Sequence, residues 1–424
     1  MRSILLPGLL IICLGVHSQT IPSISEQEVS RIENILAADD MQGRQVFTPG
    51  IEKAAEFIKK EFKEAGLKPI HGSNEGFNQS FRMINPESTE VSAVIDGFSI
   101  ASKNILVFSS ASSLTVTPED HYQKVYVKKG SDFRSVVIKY LDAEQNVLIL
   151  VDTSFAKNFA RLARFHMPQF EGNSSRILIL TGSDPQQYTI QVNQKTKIQG
   201  LTNLVGIIPG KSKPDEYVIF SAHYDHLGIG KPDAKGDSIY NGANDDASGT
   251  TAVITLAKYF SKLQNNERTL IFVAFTAEEI GEFGSAYFSK MVDPDKVIAM
   301  FNIEMIGTES KWGRNSAYIT GYDKSDMGYI LQKNLTNSQF KFYPDPYPEQ
   351  GLFLRSDNAT LAKKGVPAHT ISTSKMDYEK YYHTQGDGVE TLDLKNMTEI
   401  IRAIGLSAVS IIAGQDTPRR VNTE

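Results

Sequence analysis

From Thr202 to the C-terminus, short apolar runs alternate with longer segments whose apolar residues recur at helical spacing. EYVIFSA, TLIFVAF and VIAMFNI are continuous apolar runs of strand length, whereas SGTTAVITLAKYFSKL carries its apolar residues on one side of a helix. Strands that are apolar throughout are buried on both faces, which is typical of parallel sheets covered by helices. The pattern therefore predicts an α/β fold, with a mainly parallel mixed sheet sandwiched by helices.

The segment between about Asn85 and Gly200 has a different pattern of apolar and polar residues. It contains short β-like runs and one amphipathic helical segment, FAKNFARLARF, and its last run, YTIQVNQ, precedes a separate predicted strand, TNLVGIIPG. Two helical patterns precede the segment, between Ile24 and Gly66. We expect a larger domain formed by residues 19–85 and 201–424, interrupted by an inserted, mostly-β α/β domain at 86–200 that lies over or beside the mouth of the site.

The N-terminus has the pattern of a secretory signal peptide. Arg2 precedes an apolar run, Ile4–Val16, that is too short to span a bilayer, and we expect cleavage after Ser18. This predicts residues 1–18 as a signal peptide and an exported protein, periplasmic or secreted. No later run reaches the ~20 apolar residues of a membrane span.

Composition limits the chemistry that the exported chain can use. Its only cysteine, Cys13, lies in the predicted signal, so a metal site must be built from histidines and carboxylates. The net charge of −5 argues against nucleic acid as a partner. The sequence carries no signal for an oligomeric state.

Acids and histidines follow successive predicted strands of the second half. In open α/β sheets, functional sites lie outside the carboxyl ends of the strands. Each residue has an ordinary explanation as a helix cap or a surface group, but the acids come directly after the three most apolar strands. The candidate residues are His223, Asp245, Glu278, Glu279, Glu304 and His383.

These residue types suit a divalent metal such as zinc, which takes imidazole nitrogen and carboxylate oxygen. Two histidines and three acids can hold two ions if one carboxylate bridges them, and such a pair can share and ionise a water molecule. Glu278 and Glu279 are adjacent and must point apart, which suits one for metal binding and the other for proton transfer. A metal-bound histidine needs an acceptor for its other ring nitrogen. Asp225 is the candidate acceptor for His223, and Asp387 is the candidate for His383.

Six ordered motifs carry a family resemblance: SAHYDHLG, GANDDASG, FTAEEIGEFGS, NIEMIG, RSDNATLAKKGVPA and YYHTQGD. Together they resemble the zinc-dependent aminopeptidases of peptidase family M28. The resemblance implies the zinc-exopeptidase fold and two zinc ions per chain. It also implies that the inserted segment is similar to the protease-associated-like domains of secreted members, although a plain lid would look alike.

The resemblance also implies a role for each candidate residue. His223 and Glu304 would bind one zinc, Glu279 and His383 the other, Asp245 would bridge them, and Glu278 would be the general base. Glu304 departs from the family pattern, which has Asp at this position. Tyr382 corresponds to a tyrosine that stabilises the oxyanion in some members, and a packing role for it stays open. The resemblance gives His226 no ligand role, and we expect it to hydrogen-bond locally.

The expected activity is that of a secreted di-zinc exopeptidase that removes N-terminal amino acids from peptides through a zinc-bound hydroxide. Three alternatives stay open: a glutaminyl cyclase on the same fold, a carboxypeptidase or dipeptidase, and a binding protein without catalysis. The complete ligand set disfavours the cyclase and the binding protein, whereas it does not decide which end of the substrate is attacked.

Overall fold

A computed structural model of the protein describes residues 23–70, 76–141, 143, 145–163 and 168–422. The predicted signal peptide lies outside these residues. Within the described part of the chain, no helix has the length and apolar character needed to cross a bilayer.

The described part of the chain begins with two helices, α1 (Glu26–Leu36) and α2 (Pro49–Glu64). The middle part comprises β1 (Lys68–Pro69), β2 (Asn78–Ile95), β3 (Phe98–Ile100), β4 (Ile105–Phe108), β5 (Ser113–Val116), β6 (Gln123–Val127), α3 (Phe133–Leu141), β7 (Val147–Val151), α4 (Ala156–Leu162), β8 (Gln169–Phe170), β9 (Arg176–Leu180) and β10 (Tyr188–Ile208). The remainder comprises β11 (Lys213–His223), β12 (Gly228–Ile229), β13 (Ile239–Tyr240), α5 (Ser248–Leu263), β14 (Arg268–Phe275), α6 (Phe283–Met291), β15 (Val297–Ile303), β16 (Ser316–Ile319), α7 (Met327–Asn334), β17 (Lys341–Pro344), α8 (Ala359–Ala362), β18 (Ala368–Ser372), α9 (Leu394–Ser407) and α10 (Val409–Ile412).

The main sheet has the order β17-β16-β18-β15-β11-β14-β10-β2-β3. Its centre is parallel, because β11 pairs in parallel with β14 and β15, and β15 with β18, whereas β10 and β16 join antiparallel. The predicted α/β class with a mainly parallel mixed sheet is confirmed.

Continuous apolar strands exist because both faces of this sheet are covered. In β11, Phe220 packs toward α5 and stacks on Phe272 and Phe301 of the neighbouring strands, at ring-centroid distances of 5.5 and 4.9 Å. Ile219, the next side chain, points to the opposite face and packs in the layer that contains Phe288 of α6. The strand ends that carry the candidate site are therefore anchored in a core on each side.

The inserted segment stands on a long antiparallel arm formed by β2 and β10. The predicted boundaries near residues 85 and 200 fall inside these two strands. The prediction of two separate strands in place of β10 was wrong, because residues 188–204 pair with β2 along their length, with one register shift between Lys195 and Thr196. Residues 195–200 are all exposed or half-buried, although they belong to one continuous strand.

A second sheet, β4-β9-β7-β6, forms the body of the insertion. One face packs on the arm through Ile190 and Leu148, and the other face is covered by α3 and α4 through Val137 and Phe159. The predicted helix FAKNFARLARF is confirmed as α4, whereas α3 was not predicted, because its sequence, FRSVVIKYL, contains consecutive β-branched residues, which favour strands. Only Val137 of this helix is fully buried, so the helix has no broad apolar face.

The arm places the insertion on a defined side of the main sheet. β10 runs antiparallel to β14, and Leu204 pairs with Ala274 near the carboxyl end of β14. The preceding residues of β10 therefore extend beyond that end, and the insertion lies at the same edge as the residues that follow β11, β14 and β15.

Candidate metal centre

The strands and helices bring six of the predicted residues to one place. His223 is the last residue of β11, Glu304 follows β15 directly, and Asp245 lies in a π-type turn that leads into α5. Glu278 and Glu279 come after β14, where Ala277 with a φ of 61° turns the chain. His383 lies in the loop between β18 and α9.

One half of the cluster consists of His223, Asp245 and Glu304. Nε2 of His223 lies 3.3 Å from Oδ1 of Asp245 and 3.5 Å from Oε1 of Glu304. Nδ1 of His223 lies 3.0 Å from the carbonyl oxygen of Asp225. A carbonyl only accepts, so Nδ1 carries the proton and Nε2 presents its lone pair to the carboxylates.

The other half consists of Glu279, His383 and the second oxygen of Asp245. Nε2 of His383 lies 3.2 Å from Oδ2 of Asp245 and 3.1 Å from Oε2 of Glu279. This nitrogen has no hydrogen-bond partner of good geometry among the described residues, although it is buried. The two oxygens of Asp245 therefore face two different histidine–glutamate pairs.

His226 also reaches the second half. Its Nδ1 lies 2.7 Å from Oε1 of Glu279, which is the local hydrogen bond expected from the sequence. The same nitrogen either donates a proton to Glu279 or binds a metal, and it cannot do both. Geometry alone admits His226 or His383 as the nitrogen ligand of this half.

The close contacts within the cluster shift the pKa values of its members. Burial alone would raise the pKa of Asp245, but its contacts with His223 and His383 outweigh burial and hold the pKa below its usual range. The adjacent Asp245 and Glu279 carboxylates raise the pKa of His383 to about 10. Such a set of carboxylates and imidazoles suits divalent cations, and it contains the oxygen and nitrogen donors that zinc takes.

Glu278 lines the same pocket as Asp245, Glu279 and Glu304. Burial raises its pKa, and the neighbouring carboxylates of Glu304, Asp357 and Glu279 raise it further, against the opposing effect of His223. A carboxylate with a raised pKa beside the two half-sites has the basicity that a proton acceptor needs near neutral pH.

Tyr382 also lines this pocket and is 42% exposed. Its ring stacks on His383 with centroids 3.9 Å apart and an interplanar angle of 18°. The stacking fits a packing role, and the position in the pocket fits a hydroxyl donor, so both predicted interpretations remain.

The predicted orienting residues act differently from expectation. The group of Asp225 that accepts from His223 is its backbone carbonyl. The carboxylate of Asp225 instead accepts from the backbone N–H groups of Glu278 and Glu279, at 3.1 and 3.4 Å. Asp225 thus links β11 to the loop after β14.

Asp387 was predicted to orient His383, and the described contacts show a different role. Its two oxygens accept from the backbone N–H groups of Asn244 and Asp245, at 2.8 and 3.0 Å. The backbone is non-helical at Asp245 and Asp246, and the N–H groups of Asn244 and Asp245 find their acceptor in this carboxylate. Asp387 therefore holds the turn that presents Asp245.

Other supporting residues had no predicted role. Oγ of Ser356 donates to Oε2 of Glu304 at 2.8 Å, and Ser356 accepts from Asn302, which also accepts from Ser221. Asp246, the neighbour of Asp245, accepts from the N–H groups of Gly249 and Met305 and so joins α5 to the end of β15. The sequence did contain one sign of this network, namely polar residues such as Ser221 and Asn302 inside otherwise apolar strands. Buried polar side chains need hydrogen-bond partners, so neighbouring polar residues could have been expected.

His369 of β18 was predicted to be a satisfied core histidine, and this is confirmed. Its Nδ1 lies 2.8 Å from the carbonyl of Thr320, and its Nε2 lies 2.7 Å from Oγ of Ser325. Both ring nitrogens are paired away from the cluster.

Residues 203–407 match the model of peptidase family M28. Among curated proteins, the chain is 21% identical to Aminopeptidase YwaD of Bacillus subtilis (strain 168), across 61% of this chain and 56% of that protein. It is 25% identical to Leucine aminopeptidase 2 of Arthroderma otae, across 57% and 52% of the two chains. The chain thus spans about half the length of these curated relatives.

Solved structures share the fold over almost the whole chain. An aminopeptidase from Aneurinibacillus sp. strain AM-1 is 18% identical with a TM-score of 0.54, covering 95% of this chain and 96% of that chain. BSAP, a zinc aminopeptidase from Bacillus subtilis, is 16% identical with a TM-score of 0.56, covering 94% and 98%. The second half of the chain, residues 203–407, is therefore similar to peptidase family M28.

Proposed function

We propose that the chain is a metalloaminopeptidase that uses two zinc ions to remove amino acids from the N-termini of peptides. The observation that carries the proposal is the arrangement around Asp245, whose two carboxylate oxygens face separate histidine–glutamate pairs. The aminopeptidase names of the relatives and the zinc aminopeptidase among the structural neighbours support it.

The residues of the chain have distinct tasks in this proposal. His223 and Glu304 would hold one zinc, Glu279 and His383 the other, with Asp245 between them. When bound, zinc supplies polarisation of the scissile carbonyl and a lowered pKa for a coordinated water. Glu278 takes the proton of the attacking water and returns it to the leaving amine, and the hydroxyl of Tyr382 faces the developing oxyanion.

The pocket supports recognition of a free amino end. Four carboxylates line it, those of Asp245, Glu278, Glu279 and Glu304. Three of them would bind the metals, which leaves Glu278 as the carboxylate that can also accept a hydrogen bond from a protonated α-amine.

A peptide panel tests the proposal. One peptide is prepared with both ends free, with an acetylated N-terminus and with an amidated C-terminus, and products are followed by mass spectrometry. We expect stepwise loss of N-terminal residues from the free and amidated peptides and no loss from the acetylated one. Release of amino acids from the acetylated peptide would refute the aminopeptidase assignment.

We further propose that the insertion limits the size of substrates. The arm of β2 and β10 extends past the carboxyl end of β14, the edge at which Glu278 and Glu279 lie. Peptides of a few residues should be hydrolysed, and a folded protein with the same N-terminal sequence should not. Equal rates on both would remove this role.

We also propose export, supported by the basic residue and apolar run at Arg2 and Ile4–Val16. N-terminal sequencing of the protein recovered outside the cytoplasm should begin at Gln19. Recovery of the uncleaved chain in the cytoplasm alone would contradict it.

A further inference from the structure

Arg44 lies in the short segment between α1 and α2, outside the part of the chain that matches the family model. Its side chain is buried, with 1% exposure. We propose that Arg44 is a positioning residue that clamps together the two loops that carry His223 and Asp245, and so sets the geometry of the metal centre. The inference rests on the proposed zinc centre but not on the reaction proposed for it.

The first loop follows β11. Nε of Arg44 donates to the carbonyl oxygen of Tyr224 at 2.9 Å, and the carbonyl oxygen of Arg44 accepts from the N–H of His226 at 3.2 Å. These two contacts bracket Asp225, whose carboxylate accepts from the N–H groups of Glu278 and Glu279. Arg44 thus fixes the stretch directly after His223, and through Asp225 it supports the loop after β14.

The second loop precedes the turn that presents Asp245. Nη1 of Arg44 donates to the carbonyl oxygen of Asn241 at 2.5 Å, and Nη2 donates to that of Gly242 at 2.9 Å. Nη1 also donates to the carbonyl of Leu36 at the end of α1, at 2.9 Å. One planar guanidinium therefore joins α1 to both metal-binding loops.

The backbone around Arg44 allows little relocation. Gly43 has a φ of 65°, and a Cβ there would meet the carbonyl oxygens of Tyr240 and Gly228 at 2.5 and 2.6 Å. Arg44 itself has a φ of 50°, in the left-handed region that costs a non-glycine residue free energy. The side chain of Asn241 adds a parallel tie, donating to the carbonyl of Ala37 at 2.9 Å.

Other side chains cannot reproduce these contacts. The guanidinium presents its donors in a fixed plane, whereas a lysine presents one ammonium from a single point. A neutral replacement would take the guanidinium donor from four buried carbonyl oxygens, of which that of Gly242 keeps the N–H of Ala247, and the loops would be free to separate. The distance between His223 and Asp245 would then vary, and a metal bound by both would be held less tightly.

Arg268 provides a matched control. It is also 1% exposed, and it donates to Glu216, to the carbonyls of Ile411 and Asp416, and to Oγ1 of Thr417. It is the first residue of β14, so roughly 25 Å of strand separates it from Glu278. Loss of Arg268 removes a comparable hydrogen-bonding network without touching the metal-binding loops.

The test compares Arg44→Ala and Arg44→Lys with Arg268→Ala and Arg268→Lys in the full chain loaded with zinc. The readout is the zinc retained against increasing concentrations of a chelator, with the melting temperature of the zinc-free proteins measured beside it. We expect both alanine variants to melt earlier. Only Arg44→Ala should also lose zinc affinity, by about ten- to a hundredfold, and methylguanidinium should restore part of that loss.

Arg44→Lys serves if Arg44→Ala does not fold, and we expect it to retain zinc less tightly than Arg268→Lys at an equal loss of melting temperature. Folded Arg44 variants that retain zinc like the wild type would overturn the proposal, as would equal zinc loss in the Arg268 variants. Zinc retention does not depend on peptide cleavage. Failure of the peptide panel together with success here would therefore reject the reaction and keep the positioning role.

Discussion

The two halves of the metal centre are built differently. His223 and Glu304 sit at the ends of buried central strands, with side chains 1% and 17% exposed. Glu279 and His383 lie on loops, and the side chain of His383 is 34% exposed with a φ of 55°. The strand-borne half inherits its geometry from the core, whereas the loop-borne half depends on contacts such as those of Asp225 and Tyr382.

The difference implies an unequal centre. We expect the strand-borne half to bind zinc more tightly and release it more slowly, because its ligands lose less conformational freedom on binding. The loop-borne half should exchange metal more readily and lie closer to solvent and substrate. The variants below test this inequality, beginning with the largest expected effect.

Glu278 belongs to neither ligand pair, so Glu278→Gln separates chemistry from metal binding. We expect kcat to fall by about 10²- to 10⁴-fold because the proton acceptor is lost, while both zinc ions remain. Steady-state kinetics with zinc analysis of the same sample measures both. Glu278→Asp keeps the charge with a shorter reach and should lie in between, and full activity in Glu278→Gln would remove it as the base.

Asp245 contributes to both halves, so Asp245→Ala should damage both. The zinc content should fall well below that of the wild type at equal free zinc, because each half loses an oxygen ligand. Asp246→Asn is the matched control, since its amide oxygen can still accept from Gly249 and Met305, and it should keep its zinc. An unchanged zinc content in Asp245→Ala, measured by atomic absorption, would eliminate the bridging role.

His383 and His226 compete for one role in the loop-borne half. We expect His383→Ala to lose one zinc ion while the strand-borne ion remains, and His226→Gln to keep both ions with weaker binding of one. Isothermal titration of zinc into each metal-free variant distinguishes them. Loss of a site in His226→Gln with two sites left in His383→Ala would exchange the two assignments.

His369 belongs to the strand layer and to neither half, so its titration should change stability and leave the metal centre alone. Burial lowers its pKa to about 4, from 6.5. The unfolded chain then binds a proton at a higher pH than the folded one. The contribution of the neutral, buried His369 to the free energy of unfolding is complete above pH 6.5. It is lost as the pH falls toward 4, by roughly 3 kcal/mol.

Denaturant titrations between pH 4 and 7 check this dependence. The fall in the free energy of unfolding toward acid pH should be smaller in His369→Gln than in the wild type. An identical slope in both proteins would assign the acid sensitivity to other groups.

The sequence predicted the strand-borne features well for a physical reason. The runs YVIFSA of β11, TLIFVAF of β14 and VIAMFNI of β15 are mostly apolar and long enough for central strands, so polar residues at their ends were expected to meet at one edge. His223 and Glu304 follow from that rule alone. His383 lies far from any such strand, and only the motif YYHTQGD pointed to it.

The features that escaped prediction depend on long-range backbone contacts. Asp387 holds backbone N–H groups at 244 and 245, and Arg44 holds carbonyls in loops about 180 to 200 residues away. A sequence pattern shows which side chains carry donors and acceptors but not which backbone groups a turn leaves unpaired. The arm of β2 and β10 escaped similarly, because its exposed polar residues resembled a linker between two strands.

The most direct test of the account is a zinc titration of the metal-free wild-type protein, with bound zinc and peptide hydrolysis measured at each step. The account predicts two ions per chain that bind in two distinguishable steps, with the tighter step abolished in His223→Ala and the weaker one in His383→Ala. Saturation at one ion per chain, or two steps that both disappear in either variant alone, would contradict a centre built from two unequal halves.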